Sequence, residues 1–287
     1  MMTNRHRALG ALGVLVGLAL SAAHPVFAQQ QPDKPASPPR SAKAAANVDL
    51  TGWWVAYVTE DWRWRMVTPP KFDYSSVPLN HEGLRVSDTW DWQKDQAAGL
   101  QCMAYGAAGL MRIPTRVHIS WQDENTLKVE TDAGTQVRVF SFGGKPYASG
   151  SERTWQGVSV AQWEPTSVPA SGLAILVIPP DPPSYALKVV TTGLRAGYLR
   201  TNGVPYSENT VLTEYYDTLT HTNGQEWLII TTVVDDPQYL QQPFITTTHF
   251  KREADGSRWH PTPCEITAPP RASRPVPPNG YLPKNTH

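Results

Sequence analysis

Apolar and polar residues alternate with a period of two along most of the chain. The runs are short, rich in Val, Ile, Thr, Tyr, Phe and Trp, and separated by Gly, Asn, Asp and Pro. They predict nine strands, at 51–59, 116–122, 126–132, 135–142, 155–164, 186–193, 210–219, 226–235 and 244–253. Three connections have hairpin chemistry: Asp123-Glu124-Asn125, Asp132-Ala133-Gly134, and Thr220 to Gln225 around Asn223-Gly224. Consecutive strands joined this way form an antiparallel meander, which removes its unpaired edges by closing. The expected fold class is all-β, an antiparallel meander closing into a β-barrel.

One stretch reads as a helix flanking that barrel. Asn80 can cap a segment running to about Ala98, in which Leu84, Val86, Trp90 and Ala97 give a ragged apolar face. The stretch from Pro165 to Tyr185 holds six prolines around Leu173-Ala-Ile-Leu-Val-Ile178. It reads as a long loop with one short strand.

The ends of the chain have a different composition. Arg5, His6 and Arg7 precede an apolar run from Ala8 to Ala23, and Val26-Phe27-Ala28 offers small residues at the −3 and −1 positions of a cleavage site. Residues 1–28 therefore read as a secretory signal peptide, which leaves no membrane span once removed and places the protein in the periplasm or outside the cell. Residues 29–47 read as a disordered Pro/Ala-rich linker, 48–268 as a single β-barrel domain and 269–287 as a Pro-rich tail. Removing Arg5 and Arg7 with no acid takes the net charge from 0 to −2. Such a balance argues against nucleic acid or an anionic membrane as partners.

Cys102 and Cys264 are the two cysteines. Export favours a disulfide between them, tying the end of the helix to the chain after the last strand. Neither has a CxxC or CxxH neighbour, so no metal site is expected.

Alternation in Thr51-Gly-Trp-Trp-Val-Ala-Tyr-Val58 sends Trp54 to the small-residue face and Trp53 to the other. Gly52-Trp53-Trp54 resembles the Gly-x-Trp start of the first strand in lipocalin-like barrels. That resemblance implies that Trp54 closes the narrow end beneath a basic side chain from the last strand, Lys251 or Arg252.

Later motifs resemble a group of secreted bacterial β-rich proteins without an assigned activity. They are Cys102-Met-Ala-Tyr-Gly106, Trp155-Gln-Gly-Val-Ser159 with Trp163-Glu164, Glu214-Tyr-Tyr216, and Asp236-Pro237 with Pro243-Phe244. The order and rough spacing match over about 115–250. Met103, Ala104 and Tyr105 stand where the group has prolines, and Glu265 where it has a His, which speaks against a metal role for Cys264. The resemblance implies export and a β-rich fold.

No nucleophile elbow, His-Glu-x-x-His, phosphate loop or dinucleotide fingerprint is present. A catalytic site would have to be assembled from separate strands, and Glu164, Glu214 and His249 are the candidates. Glu214 lies between Leu212 and Tyr216 on one face, where desolvation would raise its pKa and suit it to acid–base work. Pairing with a cross-strand Lys or Arg is the alternative. Candidate ligand contacts are Trp62 and Trp64, which alternate with Arg63 and Arg65, then Arg195, Tyr198 and Tyr206 in a long connection that also holds Arg200, and Tyr216. The leading expectation is an exported lipocalin-like protein holding a small, partly apolar molecule in a barrel pocket, with no cofactor. A cofactor-independent enzyme using a carboxylate with His or Tyr, and an envelope scaffold with a filled barrel, are the other two.

Overall fold

A computed structural model of the 287-residue chain describes residues 40–165 and 185–269. The chain begins its first strand with β1 (Gly52–Ala56), then forms a short helix α1 (Trp62–Arg65), α2 (His81–Ser87), α3 (Trp92–Ala97) and α4 (Ala107–Leu110). The strands β2 (Arg116–Asp123), β3 (Thr126–Thr131), β4 (Val137–Phe142), β5 (Val158–Pro165) and β6 (Tyr185–Thr192) follow. A two-stranded excursion, β7 (Gly197–Tyr198) and β8 (Pro205–Tyr206), precedes β9 (Val211–Thr220), β10 (Glu226–Asp235) and β11 (Phe244–Glu253). Nine of these strands close a barrel in the order β1-β2-β3-β4-β5-β6-β9-β10-β11, and β11 pairs back onto β1.

All the predicted strands are present, but the ring is mixed rather than antiparallel throughout. β4 and β5 run parallel, with Phe140 opposite Ser159 and Phe142 opposite Ala161. Geometry demands this. Each antiparallel step reverses direction, so a ring of nine strands cannot alternate at every step and still close. The parallel step falls where residues 143–157 supply the dozen or more residues that a crossover needs.

Alternation places one face of each strand inside. Val117, Ile119, Leu127, Val129, Phe140, Leu187, Val189, Tyr216, Leu228, Ile230 and Phe250 form the apolar core with Trp54. A second core covers one end of the barrel, where Leu212, Val234 and Phe244 meet Leu194, Leu199, Val204 and Tyr206 of the β7–β8 excursion and Tyr74, Val77 and Leu79.

The predicted helix is broken in two. Asn80 caps α2 by accepting from Gly83 N at 2.9 Å, but Asp91 starts a second helix by accepting from Gln93 N at 3.1 Å. The break turns Trp90 inward, where it is 5 % exposed and packs on Gly203. A continuous helix could not bury that ring, which explains the ragged apolar face.

Residues 40–47, inside the stretch read as linker, lie against the barrel: Ala42 N donates to Asn125 Oδ1 at 2.9 Å, and Trp163 Nε1 donates to Ala42 O at 2.9 Å. Residues 1–39, which include the signal-peptide reading, lie outside the described residues, as do 166–184 with their expected short strand and the tail beyond 269. Cys102 and Cys264 are bridged, with Cα atoms 5.2 Å apart. Among the described residues no helix is long and apolar enough to cross a membrane.

Candidate functional site

Among the described residues, the barrel interior contains one charged pair. Arg138 on β4 and Glu214 on β9 face each other, with side chains 1 % and 0 % exposed. Arg138 Nη2 donates to Glu214 Oε2 at 2.6 Å and Nη1 to Oε1 at 2.9 Å. Tyr216 OH donates to the same Oε1 at 3.1 Å, and Arg138 Nη2 also reaches Thr191 Oγ1 at 3.2 Å. Burial opposes the charge on Arg138, but the facing carboxylate more than compensates and holds its pKa above the usual value. Burial first, then the same carboxylate, pushes the Tyr216 hydroxyl well up. Both oxygens of Glu214 are thus engaged by protein donors, in a side chain that is fully buried.

The proposed partner of that carboxylate is elsewhere. His249 lies on the outer face of β11, where Nδ1 sits 3.1 Å from Glu60 Oε2. The barrel wall separates Glu214 from His249, because residues an odd number apart in register point to opposite faces: Glu214 pairs with Thr232, Thr232 with Thr246, and His249 is three residues on. Glu164 is also outside, at the end of β5, accepting from Lys188 Nζ at 2.8 Å and Gln162 Nε2 at 2.6 Å. The hydrogen bond from Lys188 holds its carboxyl below the usual range. The three sequence candidates do not share a site.

The ligand-contact candidates divide similarly. Tyr216 and Tyr206 are fully buried, and the Tyr206 hydroxyl packs against Gly106 and Gly197. Tyr198 OH donates to Asp95 Oδ2 at 2.8 Å, and burial followed by that carboxylate raises its pKa. The exposed Arg195 stacks on Trp155 with Cζ 4.7 Å from the ring centroid. Tyr216, Tyr206 and Tyr198 thus serve packing and hydrogen bonding within the protein, while Arg195 lies on the surface.

The Cys102–Gly106 and Trp155–Ser159 motifs meet. Ala107 N, beside Gly106, donates to Trp155 O at 2.9 Å, and Gln156 Nε2 donates to Tyr105 O at 2.9 Å. Asp236 accepts from Ser207 N at 2.6 Å and Thr210 Oγ1 at 3.1 Å, pinning the excursion to the end of β10.

A cluster of a different character occupies the capped end of the barrel. Trp62 is 66 % exposed there, whereas Trp64 is half-buried between two guanidinium groups, with Arg63 Cζ 5.0 Å and Arg200 Cζ 4.9 Å from its ring centroid. Arg112 Cζ lies 5.5 Å from the Phe244 centroid. Arg65, Arg112 and Arg200 are buried, at 6 %, 6 % and 4 % exposed. Arg65 Nε donates to Arg112 O at 2.8 Å and pairs with Glu60, Arg112 Nη2 donates to Asp61 Oδ2 at 2.9 Å, and Arg63 Nη2 donates to Asp73 Oδ2 at 2.5 Å. Arg200 Nη2 reaches only a hydroxyl, Ser76 Oγ, at 2.9 Å.

Burial pulls the Arg65 guanidinium down to about 10, with Arg112 adding to the effect and Glu60 opposing it. Burial and Arg112 pull Arg200 down to about 9. For Asp73, burial pushes upward, but hydrogen bonds from Arg63 and Ser75 outweigh it and hold the carboxyl low. Three non-glycine residues of this segment, Asp61, Phe72 and Ser76, have positive φ values of 51°, 71° and 65°. Such backbone strain persists where the surroundings impose it, and it gathers at sites with a task.

Sequence reasoning named Trp62, Trp64, Arg63, Arg65 and Arg200 but missed Arg112 and Arg138. A signal for Arg138 existed. In Val137-Arg-Val-Phe140 the valines are 47 % and 42 % exposed while Arg138 and Phe140 point inward, the reverse of what side-chain polarity suggests. Among the described residues no three His, Cys, Asp or Glu side chains gather as a metal ion would require. Compared with known proteins, the chain matches no family model, no curated protein and no solved structure.

Proposed function

We propose that this is an exported, non-enzymatic binding protein that takes a small, partly apolar molecule at the capped end of its barrel. The observation that carries the reading is the shelf formed by Trp64 between Arg63 and Arg200, with Arg112 over Phe244 beside it. Exposed or half-exposed aromatic rings held rigid by guanidinium groups offer contact area at little ordering cost. The barrel interior is a poor competitor, because Trp54, Phe140, Tyr216, Phe250 and the Arg138–Glu214 pair occupy it. The separation of Glu214 from His249 argues against the carboxylate–His form of the enzymatic alternative. The carboxylate–Tyr form is met by Glu214 and Tyr216, but both are fully buried and ion-paired or hydrogen-bonded within the core. The disulfide and the lack of a long apolar helix among the described residues are compatible with life outside the cytoplasm.

Native mass spectrometry of the protein, purified without denaturation from the envelope of cells producing it, tests the reading. A retained small molecule that is lost in Trp64→Ala, while the far-UV spectrum is unchanged, supports it. Absence of any retained mass, or retention insensitive to Trp64→Ala, sinks it.

A further inference from the structure

The arginines at the capped end are not balanced. Arg63 pairs with Asp73, Arg65 with Glu60 and Arg112 with Asp61; among the described residues Arg200 has no carboxylate within ion-pairing distance, and Asp61 and Asp73 act on it only from further off. Four guanidinium groups thus stand against three carboxylates, one of which, Glu60, also contacts His249. Leaving a buried cation unpaired is among the costlier arrangements a protein can keep. Moreover, Arg65 Nη2, Arg112 Nη1, and Arg200 Nε and Nη1 are buried and have no hydrogen-bond acceptor among the described residues. Arginine cannot turn these donors into acceptors or rotate them away independently, since the guanidinium is planar and rigid. An unsatisfied set of this kind is matched by one bound oxyanion.

The surroundings specify what is attached to that oxyanion. A surface cleft of about 410 Å³ is lined by Ser76, Val77, Pro78, Pro243, Phe244 and Ile245. It adjoins the cluster through two of these residues: Ser76 accepts from Arg200, and Phe244 lies under Arg112. Ser76 is exposed and sits at φ 65°, and its hydroxyl is the acceptor that an incoming anion would replace.

We propose that Arg65, Arg112 and Arg200 form a subsite for the carboxylate of an amphipathic organic acid, whose apolar body lies in the cleft beside Phe244. This rests on the binding reading above and adds the ligand's chemical class. A single negative charge fits the excess of one cation, and carboxylate oxygens accept from guanidinium and indole N–H groups such as the unpartnered ones of Arg65, Arg112, Arg200 and Trp64. Inorganic phosphate, with its larger charge and no apolar body, fits less well.

Isothermal titration of the full chain with octanoate, octanamide and inorganic phosphate tests the assignment. Octanoate is expected to bind, the isosteric amide at least tenfold more weakly, and phosphate more weakly than octanoate. Arg200→Met should weaken octanoate roughly tenfold to a hundredfold while Arg200→Lys recovers part of the loss. The free Arg200→Met protein should melt no lower than the unsubstituted protein, because the substitution removes an unpaired buried charge. A merely structural arginine would instead leave Arg200→Met less stable. Equal binding of octanoate and octanamide, no octanoate binding, or unchanged binding in Arg200→Met overturns the carboxylate assignment. If a molecule retained from the envelope is lost in Trp64→Ala yet kept in Arg200→Met, the binding reading stands and this inference alone falls.

Discussion

The Arg252 guanidinium lies over the Trp54 ring, its Cζ 4.3 Å from the centroid, while Nη1 donates to Thr51 O at 2.9 Å. The pair closes the end of the barrel opposite the arginine-rich cap. Gly52 makes it possible. Its φ is +113°, and a Cβ there would stand 2.6 Å from Arg252 Nη1. Trp54 itself is wholly buried, with Nε1 donating to Leu50 O at 3.0 Å.

Truncating Trp54 to Ala should therefore cost about 3–5 kcal/mol, as large-to-small changes of aromatic core residues do. Gly52→Ala should cost roughly 1–3 kcal/mol through backbone strain and displacement of Arg252. Trp62→Ala, at a ring 66 % exposed, should stay within about 0.5 kcal/mol of the unsubstituted protein. Urea midpoints at constant slope measure all three. A Trp62 effect exceeding the Trp54 effect would contradict the assignment of the two rings.

The Arg138–Glu214 pair makes a second prediction. Removing either partner alone, as Glu214→Leu or Arg138→Met, leaves a buried charge unmatched and should cost about 3–5 kcal/mol. The double substitution should cost much less than the sum, because both charges leave together. A double-mutant cycle by chemical denaturation reads the coupling, and additivity would show that the pair is not one unit.

Bridging Cys102 to Cys264 closes a separation of 162 residues. In the chain-entropy description a loop of that length stabilises by about 5 kcal/mol. The Cys102→Ser/Cys264→Ser double variant, or reductant in the unfolding buffer, should lower the denaturant midpoint accordingly. An unchanged midpoint would mean that the bridge constrains little beyond what the folded contacts already do.

The pH dependence of stability follows from the cap. Asp73 and Glu60 have folded pKa values below their ordinary 3.8 and 4.5, so their stabilisation is present above those values and lost as pH falls through the lower folded ones. Arg200 acts in the opposite sense. Its folded value of about 9 lies below the ordinary 12.5, so the unfolded chain binds the proton more tightly, and stability should rise as pH passes upward through about 9. Urea unfolding from pH 7 to pH 9.5 should show a rise in the unsubstituted protein and a smaller one in Arg200→Met. Identical slopes in the two proteins would count against a desolvated Arg200.

Most of the strand architecture was legible because a period of two depends only on local chemistry. Val, Ile and aromatic residues alternating with polar ones must hide one face, whatever the strand pairs with; β4 departs from that rule, with Val137 and Val139 outside and Arg138 inside. The Gly52-Trp54 start and the cysteine pair were legible for similar reasons: a small residue, a large ring and two thiols restrict their surroundings strongly. The break at Trp90 was not, since only the position of Gly203 across the cap gives that ring somewhere to go. Pairing across the barrel was also beyond the sequence. Glu214 needed a cation, and Arg138, 76 residues earlier, was selected by the closure of the ring. His249 fell outside the wall by register alone. The arginine cap is the extreme case, since Arg65, Arg112 and Arg200 come from three segments that meet only after the barrel closes. Alternation is a property of neighbours along the chain, and it determined the strands; charge balance is a property of neighbours in space, and only the tertiary structure decided it.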